Sequence, residues 1–212
     1  MVIRFVNLFA KITGWPVQLL CFRTRILYED KKIQGRRIGG AAIVISNHTS
    51  IFDYAVFLFV FISRTLRYQM AEILFEKKPL CYLLKLLGGI RIDRDSHDFS
   101  FMARSEAILR NGGVVGIFPE GRLAREGEER PLPFQPGAAY LAMATKVPVI
   151  PVYTNGSYFC RKRAVVMIGK PMLASDFTDA SRSDRENLAA VNTAMRDKII
   201  ALGKKVNELS VL

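Results

Sequence analysis

The feature that most constrains this chain is a set of short apolar runs separated by stretches with helical spacing. Residues 41–46 (AAIVIS), 114–118 (VVGIF) and 147–153 (VPVIPVY) are each long enough for one buried strand and too short for a buried helix. Residues 25–29, 90–93 and 164–168 read as further strands. Between them, residues 54–62 (YAVFLFVFI), 79–87 (PLCYLLKLL), 99–110 and 137–145 read as helices. Residues 183–209 carry Leu188, Val191, Met195, Ile199, Leu202 and Val206 at spacings of three and four, the stripe of a long amphipathic helix. Alternation of this kind predicts an α/β fold: a single domain with a mostly parallel central sheet flanked by helices. The two prolines of residues 147–153 place that strand at a sheet edge or in a pocket wall.

Residues 2–28 stand apart from this pattern. Arg4, Asn7 and Lys11 fall on one narrow helical stripe, and the remaining positions of that segment form a wide apolar face. Gly14 can end the first helix and Pro16 can open a second, with Gln18, Cys21 and Arg25 repeating the stripe. The uncharged run 12–22 is too short to span a bilayer, which takes about 20 apolar residues. The expectation is a pair of helices lying in a membrane interface, basic residues toward the headgroups. An ordinary core-packing pair has the same pattern. The chain therefore divides into residues 1–28, membrane-interface helices, and 29–212, the α/β domain.

The net charge of +12 calls for an acidic partner. Residues 1–40 hold eight Lys/Arg against two acids, whereas residues 171–212 balance at six against six. An anionic phospholipid membrane or a phosphorylated substrate suits this distribution. Nucleic acid does not, because the aromatics cluster in apolar helices instead of alternating with Lys/Arg on a strand face. Cys21, Cys81 and Cys160 form no CxxC and read as reduced, buried thiols. No His/Cys cluster has metal-ligand spacing, so no metal is expected.

Chemistry concentrates at four places. Ser46 to Asp53 (SNHTSIFD) follows a strand and precedes a helix. On one continuous helix His48 and Asp53 would diverge by about 140°. They meet if His48 lies on the loop and Asp53 in the first helical turn, with Thr49 or Ser50 as N-cap. A carboxylate bonded to one imidazole nitrogen fixes the tautomer and frees the other nitrogen to take a proton. Residues 88–94 (GGIRIDR) deliver Arg91 and Arg94 from a strand. Residues 117–122 (IFPEGR) place Glu120, Gly121 and Arg122 at a strand end, where an arginine suits phosphate recognition. The run VPVIPV (147–152) is the fourth.

In this order and spacing the four blocks resemble the 1-acyl-glycerol-3-phosphate acyltransferase family, within the glycerolipid acyltransferase superfamily. NHTSIFD resembles the family's N-H-x-S-x-x-D block, GGIRIDR its acceptor-binding block, and FPEG the start of F-P-E-G-T-R-S. The arginine of that last block stands one position earlier here, as Arg122. The resemblance implies His48 as base, Asp53 as its partner, and Arg94, Glu120 and Gly121 as substrate-site residues, with Arg91 and Arg122 as further candidates. It implies acyl transfer from acyl-ACP or acyl-CoA to the free hydroxyl of 1-acyl-glycerol-3-phosphate, giving phosphatidic acid, with no cofactor. The expected location is peripheral or monotopic, on the cytoplasmic face of the cell membrane. A different lysolipid acceptor is the alternative.

Overall fold

The computed structural model describes residues 2–93, 99–159 and 163–211, with side chains to residue 209. In chain order the elements are α1 (Val2–Thr13), α2 (Trp15–Val17) running into a π-turn (Gln18–Phe22), β1 (Arg25–Tyr28), β2 (Ala42–Ser46), α3 (Asp53–Val60), β3 (Leu66–Ala71), α4 (Lys78–Leu87), β4 (Ile90–Ile92), α5 (Ser100–Arg110), β5 (Val114–Ile117), α6 (Gly137–Thr145), β6 (Val149–Thr154), β7 (Val165–Ile168) and α7 (Asp184–Val211). The strands form one sheet in the order β1-β7-β6-β2-β5-β3-β4. Only the β6–β7 pairing is antiparallel. The sheet takes in residues 25–28, which the division at residue 28 leaves with the helices.

Two apolar layers cover the sheet. On one face α5, α6 and α7 bury Ile43, Ile45, Leu141, Val191, Met195 and Ile199. On the other, α3 and α4 pack with Val44, Val56, Phe57, Tyr68 and Leu84. Every residue of β2 is buried, because neighbouring strands flank it and helices cover both faces.

Three features of the sheet and the cysteines differ from the sequence expectation. First, β3 was missed, although Leu66, Tyr68 and Met70 are buried and alternate with the half-buried Arg67 and Gln69, a strand period of two. Second, the proline-bearing β6 is an interior strand, between β7 and β2. Pro148 precedes the strand and Pro151 lies within it, and the carbonyls of both still pair: Ile43 N–H donates to Pro148 O (3.0 Å) and Gly169 N–H to Pro151 O (2.8 Å). The missing N–H of Pro151 falls where the β7 pairing runs out. Third, Cys21 is exposed and Cys81 half-buried, not core thiols; Cys160 lies outside the described residues.

The N-terminal helices bring the largest departure. In α1 the polar stripe turns inward at Asn7 and Lys11, which are buried against the protein, while Arg4 stays exposed. Asn7 Nδ2 donates to Leu87 O (2.9 Å). The Lys11 ammonium donates to the carbonyls of Phe61 (3.3 Å), Ile62 (3.1 Å) and Arg64 (2.7 Å) beyond the end of α3. A helix C-terminus has unpaired carbonyls and partial negative charge, so a lysine there serves as a cap supplied by another helix. Burial lowers the Lys11 pKa to about 8. Val2, Phe5, Leu8, Phe9 and Ile12 are left pointing outward, each more than half exposed. The helix pair bends by 48° at Gly14, and no single helix among the described residues is long and apolar enough to cross a membrane.

Candidate active site

Five of the seven strands point their C-terminal ends the same way, and the loops after β2 and β5 meet there. In open α/β sheets this is where ligands bind. Ser46 ends β2, His48 lies on the loop and Asp53 opens α3. His48 Nδ1 is 2.9 Å from Asp53 Oδ2. The N-cap is Phe52, not Thr49 or Ser50, and no side chain caps it.

The five donors around Asp53 explain how a fully buried carboxylate is held. Oδ2 accepts from the backbone N–H of Thr49 (2.7 Å) and Ser50 (3.0 Å) besides the imidazole. Oδ1 accepts from the Thr49 hydroxyl (2.8 Å) and the Tyr158 phenol (2.7 Å). Both oxygens of this buried carboxylate are satisfied, and five donors fix its position. With Nδ1–H donated to Asp53, His48 Nε2 is left as the proton acceptor.

The imidazole is held on two further sides. Its ring stacks on Phe118, with centroids 4.3 Å apart and planes 13° from parallel. Phe118 in turn stacks on Tyr68 at 5.0 Å. Tyr68 lies so close over Gly116 that a Cβ there would sit 2.4 Å from its ring. The His48 main-chain N–H donates to Glu120 Oε1 (2.8 Å), and Leu132 N–H to Glu120 Oε2 (2.8 Å). Glu120, almost fully buried, thus straps the loop after β5 to the histidine.

The other candidates are spread more widely. Gly121 makes the turn after β5 with φ +72°, in the left-handed region glycine favours. Arg122 is exposed and forms a fork with Glu128, at 2.6 and 2.7 Å. The Arg122 guanidinium, with the Arg125 N–H, holds the Glu128 carboxyl down to about 2. Arg91 lies on β4, the edge strand, 3.6 Å from Asp93. Three strand spacings separate β4 from β2, about 14 Å. Arg94 lies outside the described residues. The structure therefore brings His48, Asp53 and Glu120 together with Gly121 adjacent, and sets Arg91 and Arg122 farther out.

Sequence reasoning missed a second ring of residues. Asn47 clamps the ends of β2 and β6: its Nδ2 donates to Thr154 O (2.8 Å), and Thr154 N–H donates to its Oδ1 (2.9 Å). Thr154 Oγ1 lies 2.9 Å from the Tyr158 hydroxyl. Burial raises the Tyr158 pKa and the Asp53 charge raises it further, so the phenol stays a donor. Gly156, at φ +66°, lets this loop close on the site, since a Cβ there would sit 2.7 Å from Thr49 Oγ1. The pairing of Tyr158 with Asp53 spans 105 residues, and local spacing carries no trace of it.

Comparison with known proteins gives the chain a family and its fold a counterpart. A family model described as Acyltransferase matches residues 25–155. The chain is 30% identical to the 1-acyl-sn-glycerol-3-phosphate acyltransferase of Bacillus subtilis, over 68% of this chain and 72% of that protein. It is 32% identical to the human 1-acyl-sn-glycerol-3-phosphate acyltransferase beta, over 70% of this chain and 54% of that protein. The crystal structure of the 1-acyl-sn-glycerophosphate acyltransferase PlsC from Thermotoga maritima superposes with a TM-score of 0.69 at 19% identity, covering all of this chain and 80% of that one, and shares its fold.

Proposed function

This chain belongs to the acyltransferase family, alongside 1-acyl-sn-glycerol-3-phosphate acyltransferases, and on that premise we propose that it acylates the free hydroxyl of 1-acyl-glycerol-3-phosphate. The donor is a fatty acyl thioester on ACP or CoA, and the product is phosphatidic acid for phospholipid biosynthesis. The observation that carries this reading is the 2.9 Å pairing of a partly exposed His48 with a fully buried, firmly held Asp53.

His48 Nε2 takes the proton of the acceptor hydroxyl as its oxygen attacks the thioester carbonyl. Asp53 stabilises the imidazolium that forms and remains ionised. The tetrahedral adduct collapses, the C–S bond breaks, and the imidazolium returns its proton to the departing thiolate. No protein nucleophile is needed. Glu120 and Phe118 keep the imidazole in place through its main chain and ring face. The acceptor phosphate is held by Arg94 with help from Arg91 or Arg122. For Arg122 this requires exchange of Glu128 for the phosphate, two anions competing for one fork.

The enzyme works at a membrane surface, held by the outward apolar face of α1, α2 and the π-turn that follows. Phe5, Phe9, Ile12 and Leu20 are each well over half exposed there. Burying such a side chain fully contributes about 1.5–3 kcal/mol. Incubating the purified protein with a panel of lysolipids and both acyl carriers, and identifying products by mass, tests the reaction. Phosphatidic acid should dominate. Acylation of another lysolipid in its place would move the assignment to that acceptor.

A further inference from the structure

The end of the sheet opposite the catalytic loops holds an open hollow of about 800 Å³. It lies at the starts of β3 and β5, among Thr65, Gly113 and Val114. Because β2, β3 and β5 are parallel, the length of the sheet, about 13 Å of strand, separates it from the loop of His48. Five cationic side chains from three parts of the chain converge on it: Arg4 and Lys11 from α1, Arg64 and Arg67 from before and within β3, and Arg104 from α5. The described residues lining it include no carboxylate.

Elsewhere many of the cations meet acids. Lys198 and Lys205 share Glu29, Arg110 takes Glu106, and Arg122 takes Glu128. In the hollow, Lys11 and Arg64 are fixed by backbone carbonyls, Arg64 by those of Ile38 and Gly112. The side chains of Arg4, Arg67 and Arg104 have no hydrogen bond or ion pair among the described residues, and Arg67 is half-buried. Gathering like charges without a counter-ion costs free energy that an anion would recover. Fixed and free guanidinium groups around one space suit phosphate oxygens, which accept two parallel N–H bonds from each fork.

The rim says which phosphate. Leu8 and Ile62, both exposed, border the hollow, and Leu8 belongs to the outward apolar face of α1. A ligand seated here meets cations inside and apolar side chains at the edge. We propose that this hollow binds the phosphate headgroup of an anionic membrane phospholipid, at a site separate from the catalytic one. The proposal rests on membrane docking through α1. It gives the docked enzyme a fixed rotational setting, since the site lies to one side of the inserted helix.

Flotation of the full chain tests it, on vesicles of phosphatidylcholine alone and of phosphatidylcholine with phosphatidylglycerol. The wild type should bind both and prefer the anionic vesicles. A basic residue near an anionic surface contributes about fivefold in affinity, so Arg67→Gln with Arg104→Gln should lower anionic binding about 25-fold. Binding to phosphatidylcholine alone and acyl transfer to detergent-presented lysolipid should stay unchanged. Arg104→Gln alone, at an exposed position, guards against a folding defect. Arg182→Gln with Arg185→Gln removes the same charge at the start of α7 and should change anionic binding less than about twofold. Equal losses in both double variants would reduce the effect to diffuse charge and overturn the site. Equal wild-type binding to both vesicles would overturn the headgroup site and leave docking intact, whereas no binding to either would remove docking and the site together. Inorganic phosphate that binds the wild type, is lost in Arg67→Gln/Arg104→Gln and fails to compete with vesicles would assign the hollow to a soluble phosphate and overturn the lipid reading.

Discussion

The first and last helices of this protein are both amphipathic, and they are turned in opposite directions. In α7 the apolar stripe faces the sheet, and Val191, Met195, Ile199, Leu202 and Val206 are buried to within 1%. In α1 the buried residues are the polar Asn7 and Lys11, and the wide apolar face looks outward. Each helix is also pinned by charge. Glu29 receives Lys198 and Lys205 of α7 at 3.0 and 2.9 Å, whereas α1 sends Lys11 into the carbonyls beyond α3. The contrast teaches that helical period alone does not say which face a helix buries. What decides is whether the neighbouring surface offers apolar side chains or unpaired polar groups. The outward apolar face of α1 is the surface that the proposed membrane docking uses.

The contrast can be broken from either side. Phe5→Glu with Phe9→Glu removes two apolar contacts worth about 1.5–3 kcal/mol each, so vesicle affinity should fall on the order of 10²-fold or more. The melting temperature should hold, because neither side chain is in the core; a large drop would show that α1 packs on protein. Ile199→Ala should do the converse. It should cost about 2–5 kcal/mol of stability in a urea titration while folded protein floats normally.

Tyr158 sharpens the comparison, because it lies where the N-terminal segment meets the catalytic pair. Its ring packs edge-on against Phe22 at 5.6 Å, while its hydroxyl donates to Asp53. A hydrogen bond to a charged group contributes about 1.5–3 kcal/mol, so Tyr158→Phe should lower kcat about 10- to 100-fold. KM for both substrates and the melting temperature should change little, since the ring and its packing remain. A change confined to KM would make Tyr158 a substrate contact instead of a positioning residue.

The smallest effect concerns the anchor of α7. Partial burial pushes the Glu29 carboxyl up, but the Lys170 N–H and the Lys205 and Lys198 ammonium groups outweigh it and hold it down to about 2. A carboxyl lowered on folding adds stability above its unfolded value near 4.5, and loses it as pH falls from there toward 2. Glu29→Gln should therefore lower the urea midpoint at neutral pH, with the difference from wild type closing across that window. A difference that persists at pH 2 would point to packing in place of charge.

These particulars also mark how far the sequence could be read. The apolar runs of β2, β5 and β6 are legible because strands covered on both faces leave few polar positions, here only the terminal Ser46 and Thr154 besides Tyr153. The His48–Asp53 pair is legible because both residues lie within one loop and its following turn. β3 is less so, since Arg67 and Gln69 dilute its apolar content. The orientation of α1 depends on carbonyls more than fifty residues away, and the Tyr158 bond on a loop brought in by β6. Such contacts are products of the fold and have no local period to reveal them.

The central claim is that His48, held by Asp53, is the base of an acyl transfer. The most direct measurement is the rate of lysolipid acylation by His48→Ala, in protein shown by circular dichroism and melting to be folded. Loss of a general base lowers the rate on the order of 10²–10⁴-fold, and that is the predicted result. A folded His48→Ala protein that acylates at near the wild-type rate would contradict the account.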